Sequence, residues 1–134
     1  MKPIYVEEFF HDGRGPELQR IHWGPNGVGI RELAYFNPDD AHGPANLKRV
    51  IVTKPQVVMI TPEEVVDYGK VGGDALVRHR PAAMFDLGAS DWLKSFSPRH
   101  LGACRHFRMF FYDELVDIIA EGVECRRAST EDAG

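Results

Sequence analysis

The chain has 134 residues, 43% of them hydrophobic, which is enough for one core and too few for two ordinary domains. Its formal net charge of −4 argues against a general nucleic-acid or anionic-membrane surface, because affinity for phosphate backbones depends largely on clustered cations. Two cysteines cannot form the disulfide framework of a small secreted domain, and the first ten residues do not resemble a secretory signal. No apolar run approaches the ~20 residues that span a bilayer. We therefore expect a cytoplasmic protein.

The first half of the chain predicts β-structure. Residues 4–10 predict an edge strand or first strand, which ends at the glycines and proline of the loop at 11–16. Residues 18–36 predict a hairpin, because an Asn-Gly pair near the centre accepts the positive φ of a tight turn. Residues 47–61 predict two further strands about a Lys-Pro pair, since proline cannot donate to a ladder and marks a turn, bulge or edge.

The middle of the chain predicts short helices. Residues 61–64, Thr-Pro-Glu-Glu, combine a hydroxyl N-cap, proline at the first helical position and glutamate at the third, so they predict the start of a short helix. Residues 71–80 contain a Gly-Gly pair and predict a loop, and residues 82–87 predict a further strand. A second helix is expected over 90–96, with tryptophan, leucine and phenylalanine at a spacing of three and four.

The start of that second helix resembles a catalytic motif. Residues 88–92, Gly-Ala-Ser-Asp-Trp, match the nucleophile elbow G-x-S-x-G except that tryptophan replaces the last glycine. The elbow needs small flanking residues for its strained turn between strand and helix. We therefore expect Ser90 to be the N-cap of the helix rather than a nucleophile.

The stretch at 104–125 predicts one long β-hairpin. Two runs rich in aromatic and β-branched residues flank the acidic pair Asp113-Glu114, a pattern typical of strand, turn and strand. With the turn at that pair, Phe107 lies opposite Ala120, and one face of the hairpin is almost wholly apolar. The alternative is a helix after Glu114, whose apolar residues also recur at helical spacing. Crowded β-branched residues favour the strand, because helices restrict their χ1 angles.

The opposite face of this hairpin carries charged and sulfur-bearing side chains, and we call it the mixed face. The predicted register places His106 opposite Glu121. It also places Phe110 opposite Asp117, with Arg108 diagonal to both acids. A carboxylate beside a histidine raises the pKa of the ring and fixes its tautomer, which is how a general base is oriented. The candidate catalytic residues are therefore His106, Glu121, Arg108 and Asp117, although such cross-strand pairs ordinarily stabilise a sheet.

Metal binding and a disulfide are further alternatives for the same stretch. Zinc takes imidazole and thiolate ligands, so His100, Cys104 and His106 are candidate metal ligands, although their spacing matches no structural zinc motif. Cys104 and Cys125 lie diagonally on the mixed face in the predicted register, which allows a disulfide, whereas isolated cysteines are ordinarily small buried hydrophobes. No cofactor is predicted.

Together these elements predict an α+β fold with a single domain over residues 1–125. The expected architecture is an antiparallel β-sheet of about six to eight strands with one or two short helices packed on one face. Residues 126–134 have nothing to bury and are expected to form a disordered tail.

For function, the sequence suggests a small binding or self-association domain without catalysis. Aromatic and charged side chains on the mixed face are suited to a symmetric homodimer surface. The alternative is a small enzyme or ligand-binding protein with a pocket around His106, Glu121, Arg108 and Asp117, in a metal-bound or metal-free form. We expect a homo-oligomer and neither a nucleic-acid nor a membrane partner, and the sequence identifies no small-molecule ligand.

Overall fold

A computed structural model describes residues 1–25 and 29–127 of the chain. In chain order, the strands in this part are β1 (Lys2–Ile4), β2 (Glu17–Trp23), β3 (Ile30–Phe36), β4 (Lys48–Thr53), β5 (Val57–Pro62), β6 (Met84–Gly88), β7 (Arg105–Phe110), β8 (Glu114–Ala120) and β9 (Gly122–Arg126). The α-helices are α1 (Tyr68–Val71), α2 (Gly73–Arg78) and α3 (Asp91–Lys94), and short 3-10 helices cover Pro44–Asn46 and Glu63–Val65.

These strands form two antiparallel sheets. The five-stranded sheet has the order β1-β6-β7-β8-β5, and the four-stranded sheet has the order β2-β3-β4-β9. The predicted α+β class with antiparallel strands is confirmed. The strands are divided between two sheets, however, rather than joined in one.

The chain passes between the two sheets three times, first between β1 and β2 and then at two neighbouring points. The first of these points is Lys54-Pro55, between β4 and β5, where Lys54 takes a φ of 48° and the proline has no N–H for a ladder. The second is Glu121, between β8 and β9, whose N–H donates to the carbonyl of Thr53 at 3.0 Å. The two strands predicted around the Lys-Pro pair are therefore both present, but they lie in different sheets and do not pair with each other.

The facing sides of the two sheets enclose the larger hydrophobic core. Its fully buried side chains come from both sheets: Ile30, Leu33, Tyr35 and Val50 on one side, and Met84, Met109, Val116 and Ile118 on the other. Phe9 completes this core through edge contacts with Tyr35 and Phe111, at centroid distances of 4.9 and 5.1 Å. Full burial of such side chains contributes roughly 1.5–3 kcal/mol each, so this core is what holds the sheets together.

The other side of the five-stranded sheet is covered by helices. Phe85, Phe110 and Leu115 point away from the first core and form a second cluster with Ala75 of α2. The sheet is therefore buried on both faces, and every residue of β8 after Glu114 is buried. The result is three layers: the four-stranded sheet, the five-stranded sheet and the helices.

The region between β5 and β6 differs from the sequence prediction. Residues 61 and 62 continue β5 instead of starting a helix, because Thr61 pairs with Leu115 across the ladder. The helix α1 begins later, where the Asp67 side chain accepts the N–H of Gly69. The predicted loop at 71–80 contains α2. Gly72 takes a φ of 92° and ends α1, so the glycine pair separates two helices rather than forming an extended loop.

The two ends of the chain also differ from the prediction. The strand expected at 4–10 stops at Ile4, because Tyr5 takes a positive φ of 50°, and Phe10 makes a single bridge to Ala82. At the other end, Arg126 belongs to β9 rather than to a tail. The rest of the predicted tail from residue 128 onward, and the centre of the β2–β3 turn at 26–28, lie outside the described residues.

Candidate functional site

The hairpin predicted at 104–125 exists as β7 and β8, and the helical alternative is wrong. The N–H of Phe111 donates to the carbonyl of Glu114 at 2.9 Å, so the turn is centred one residue earlier than predicted. Phe107 consequently lies opposite Ile118 instead of Ala120. A register shift of two residues keeps every side chain on its predicted face, because the period of a strand is two, but it changes every cross-strand partner.

The corrected register assembles a buried hydrogen-bonded group that we call the polar relay, consisting of Ser90, His106, Asp117 and Arg108. His106 Nε2 lies 2.6 Å from Asp117 Oδ1. Arg108 lies directly opposite Asp117, and its Nε donates to the same oxygen at 2.7 Å. On the other side of the ring, Ser90 Oγ lies 2.7 Å from His106 Nδ1. Three of the four candidate catalytic residues are thus brought together, with one serine added.

The polar relay is enclosed by the layers around it. His106 and Asp117 have exposed fractions of 1% and 0%. The Trp92 ring of α3 covers the imidazole at a centroid distance of 4.8 Å, and Arg108 Nη1 donates to the Val71 carbonyl at the end of α1 at 2.9 Å. The relay therefore ties two strands to two helices. Both charges of this buried ion pair are hydrogen-bonded, which offsets part of their desolvation, while Asp117 Oδ2 is buried without a hydrogen bond to any described residue.

Ser90 Oγ accepts the N–H of Leu93 at 3.2 Å, which confirms its predicted role as the N-cap of α3. An ionised carboxylate can only accept, so His106 Nε2 carries the proton that meets Asp117. In the neutral ring Nδ1 then accepts the hydroxyl proton of Ser90. The order serine, imidazole, carboxylate is that of a nucleophilic triad, although here the serine meets Nδ1 and the carboxylate meets Nε2.

Glu121 does not join this group, contrary to the predicted register. It lies at the bend after β8, where its carboxylate is 3.4 Å from Lys54 Nζ. The mixed face itself is not an open surface, because α1, α2 and α3 cover it and His106 and Phe110 are buried. Tyr112, by contrast, is exposed at the tip of the hairpin.

Within the residues that the structure describes, the candidate metal ligands and the two cysteines form neither a metal-binding group nor a disulfide. Both nitrogens of His106 are already hydrogen-bonded, and the structure gathers no three histidine, cysteine, aspartate or glutamate side chains into a metal-binding group within the residues it describes. Cys104 and Cys125 are free thiols, and Cys125 pairs with Val50 in the other sheet. Burial raises the pKa of Cys125 to about 12, with Glu8 and Glu124 adding to the effect and a hydrogen bond to Tyr35 opposing it.

A second site, which the sequence did not indicate, is a groove at the turn end of the hairpin. Its volume is about 310 Å³. Three segments line it: the loop at 11–15, the region between β5 and β6 through Glu63, Tyr68, Leu76, Val77 and Arg80, and the hairpin tip through Phe110, Phe111 and Tyr112. These segments are far apart in the sequence and meet at the turn end of the hairpin.

The loop at 11–16 is held closely against the hairpin tip. The N–H of Tyr112 donates to the Pro16 carbonyl at 2.7 Å. A Cβ atom on Gly15 would lie 2.7 Å from the Phe110 carbonyl oxygen, so only glycine permits this approach. The Arg14 guanidinium also stacks over the Tyr112 ring, 4.7 Å from its centroid. One wall of the groove is therefore built from packed backbone rather than from a free loop.

At the groove, His11 is a buried side chain with an incomplete set of hydrogen bonds. It is 7% exposed, and Nδ1 accepts the N–H of Gly13 at 3.4 Å. No hydrogen bond of normal geometry reaches Nε2 from any described residue. Burial lowers the pKa of His11 below its ordinary 6.5; the Leu76 carbonyl opposes this shift, the Arg80 charge adds to it, and Asp12 opposes it more weakly.

No protein-family model matches the chain, and neither a curated protein nor a solved structure shows significant similarity to it. None of the helices in the described part of the chain is both long and apolar enough to cross a bilayer. The polar relay and the groove are the two features of the chain that bear on its function.

Proposed function

We propose that this protein is a small-ligand-binding domain and that the groove is its binding site. The observation that carries the proposal is the convergence of three distant segments on one concavity of about 310 Å³. Ligand pockets are typically concave, largely apolar and ~300–1,000 Å³ in volume, with a few polar groups that fix orientation. The groove has these features.

The walls of the groove suit an aromatic or other apolar body. Tyr68, Val77 and Tyr112 line it and are among the large hydrophobic side chains that remain exposed. Below them, Phe110 stacks with Tyr68 at a centroid distance of 6.4 Å and belongs to the second core, so the floor is firmly supported. Exposed apolar side chains gathered around a concavity are typical of a binding site.

The proposal is tested by titrating simple monocyclic aromatic compounds into the protein and following saturation-transfer NMR. We use benzyl alcohol, phenylacetate and phenyl phosphate as probes. A compound of ~10 non-hydrogen atoms is expected to bind with a dissociation constant on the order of 1 mM. Tyr112→Ala removes one wall and should weaken binding several-fold. Trp23→Ala is the matched control, because Trp23 is 48% exposed and Tyr112 is 47% exposed, and Trp23 lies on the edge strand β2.

If the probes bind Tyr112→Ala and Trp23→Ala with equal affinity, the groove is not the binding site. Absence of binding by all three probes would contradict the proposal as a whole.

We also propose that the protein is cytoplasmic, since both of its thiols are free and a reducing compartment preserves that state.

Self-association is the other form of binding that the sequence suggests, and we rank it second. A dimer through the mixed face would require α1, α2 and α3 to leave the sheet, because they cover that face. A different surface would have to serve, such as the outer edge of β5, where Met59 and Ile60 are exposed. Light scattering that shows a dimer at tens of micromolar, lost on Ile60→Lys, would favour this route.

A specific observation also favours acyl transfer at Ser90 as a second candidate function. The Ser90, His106 and Asp117 side chains are linked by contacts of 2.7 and 2.6 Å in triad order. In such a reaction Ser90 Oγ would attack an ester carbonyl and pass its proton to His106 Nδ1, which would return it to the leaving alkoxide; water would then release the acid. The groove does not include any of these three residues, so we rank binding first.

A fluorophosphonate probe separates the two functions. Stoichiometric labelling that Ser90→Ala abolishes and Ser95→Ala preserves would establish a nucleophile. Ser95 is a suitable control, because it follows α3 directly and donates to the Trp92 carbonyl at 2.6 Å. No labelling of the folded protein would leave the polar relay with a purely structural role.

A further inference from the structure

The inner part of the groove contains a hydrogen-bond donor that has no acceptor in normal geometry. Because His11 Nδ1 accepts the N–H of Gly13, the proton of the neutral ring is on Nε2. Nε2 is buried and makes no hydrogen bond of normal geometry with a described residue, although the Leu76 carbonyl lies close enough to oppose the lowering of the ring's pKa. The ring lines the groove. Buried polar groups are nearly always hydrogen-bonded, and an exception calls for an explanation such as a ligand.

A cation lies against the loop that carries this donor. An atom Nη2 of Arg80 would be 3.7 Å from a Cβ on Gly13, so the guanidinium lies against the loop that carries His11. Arg80 lines the groove, and its charge contributes to the lowered pKa of His11. It forms no ion pair with a described acid, whereas Arg14 is paired with Glu17. Arg80 is thus a charge within the groove that no carboxylate of the described chain neutralises.

Arg80 is the cation that the groove offers to an anion. The described charged residues that line the groove are Arg80, Arg14, which is paired with Glu17, and one acid, Glu63. Glu63 belongs to the short 3-10 helix after β5, and both Glu63 and Arg80 are exposed. A guanidinium presents a planar fork of donors that fits carboxylate and phosphate oxygens in a bidentate arrangement.

We propose that His11 Nε2–H and the Arg80 guanidinium form an oxyanion subsite, which holds a carboxylate or phosphomonoester group of the ligand in the groove. This inference rests on the proposed binding function and adds a chemical class to it. The bound oxygen satisfies the donor of His11 and the charge of Arg80 together, while Tyr68 and Tyr112 contact the remaining body of the ligand. Carboxylate and phosphate share this chemistry, and the probes separate them.

The test compares anionic and neutral probes of similar shape. Phenylacetate and phenyl phosphate carry the oxyanion, and 2-phenylethanol lacks it. Hydrogen bonds to charged groups are strong enough that we expect the better anionic probe to bind roughly ten- to a hundredfold more tightly than the alcohol. Inorganic phosphate should displace phenyl phosphate if the phosphomonoester is the preferred group, and acetate should displace phenylacetate if the carboxylate is.

A pair of arginine variants provides the matched control. Arg80→Gln should reduce the affinity for the anionic probe several-fold, toward that for 2-phenylethanol, because the His11 donor remains. Arg78→Gln makes the same change of charge two residues earlier, on an exposed side chain of α2 that does not line the groove, and should leave the affinity unchanged. Both variants change exposed residues, so they are expected to fold. In addition, the 15N resonances of the His11 ring should move with the anionic probes and not with 2-phenylethanol.

The outcomes distinguish this inference from the function on which it rests. Equal affinities for the alcohol and both anions, with Tyr112→Ala weakening all three, would overturn the oxyanion subsite and leave the groove as a binding site. If Arg80→Gln and Arg78→Gln lose the same affinity for the anionic probe, the effect comes from the net charge of the protein. That result would also overturn the oxyanion subsite. Absence of binding by every probe would overturn both proposals.

Discussion

Two of the described histidines are buried, and they differ in the hydrogen bonds of their ring nitrogens. His106 is 1% exposed and has a hydrogen-bond partner at each ring nitrogen. His11 is 7% exposed and has a partner at one nitrogen only among the described residues. The first belongs to the polar relay inside the layers, and the second lies at the groove. The ring nitrogens of these two buried histidines thus differ in how completely they are hydrogen-bonded.

The difference follows from the elements that carry each histidine. His106 lies on a central strand, where the partner strand supplies Asp117 and α3 supplies Ser90 and Trp92. His11 lies on a loop that is held by backbone contacts and reaches solvent on one side. Strands surround a side chain with partners, whereas loops held on a rigid scaffold leave polar groups free for binding.

The largest expected effect comes from breaking the polar relay. Asp117→Ala leaves the Arg108 charge and the His106 ring without their shared acceptor in a buried place, and such a loss typically costs about 3–5 kcal/mol. Urea unfolding should show a midpoint much lower than that of the unmodified chain. Glu121→Ala is the control, because that partly exposed acid faces Lys54 at the surface and its removal should cost less than about 1 kcal/mol. Equal losses in the two variants would contradict a structural role for the relay.

The relay also shows how far the sequence alone could predict the site. His106, Arg108 and Asp117 were found because alternation along two strands places them on one face, and a two-residue slip does not change that. Glu121 was misplaced because the acidic turn does not reveal that the ladder ends at Ala120 and the chain then changes sheets.

Other features of the fold required tertiary contacts that no local pattern encodes. The helix cap by Ser90 was predicted from its neighbours, but its contact with His106 joins residues 16 apart and depends on how α3 packs. No sequence motif or regular spacing relates His11 to Arg80. Thr61 shows the reverse case, in which a strong helix-start signal was overridden by strand pairing with Leu115.

An intermediate effect is expected from the groove wall. Gly15→Ala places a methyl group 2.7 Å from the Phe110 carbonyl oxygen, so the loop at 11–16 must move away from the hairpin tip. Overpacking of this kind typically costs ~1–3 kcal/mol and should also weaken probe binding, since the wall shifts. Gly102→Ala is the control, because no atom lies within 4 Å of its added Cβ, and its stability should stay within ~0.5 kcal/mol. If both variants behave alike, the close approach seen here does not define the groove.

The smallest expected effect is a pH dependence that arises from His11. The pKa of its ring in the folded chain lies below 6.5, the ordinary value that it regains on unfolding. As the pH falls below about 6.5, the unfolded chain binds a proton that the folded chain does not yet bind, so the free energy of unfolding decreases. The decrease is limited to about 1.4 kcal/mol per pH unit and ends once the pH passes the folded pKa.

Urea unfolding between pH 7 and pH 5 measures this effect as a difference between variants. His11→Gln should have a shallower pH dependence than the unmodified chain, whereas His22→Gln, at an exposed histidine paired with Glu32, should not remove the same component. A saturating oxyanion stabilises the protonated His11 ring, because it supplies the opposite charge. Phenyl phosphate should therefore reduce the loss of stability at low pH in the unmodified chain and leave that of His11→Gln unchanged. If phenyl phosphate stabilises the unmodified chain and His11→Gln equally at low pH, the anion binds elsewhere. His11 would then have a structural role only, like His106.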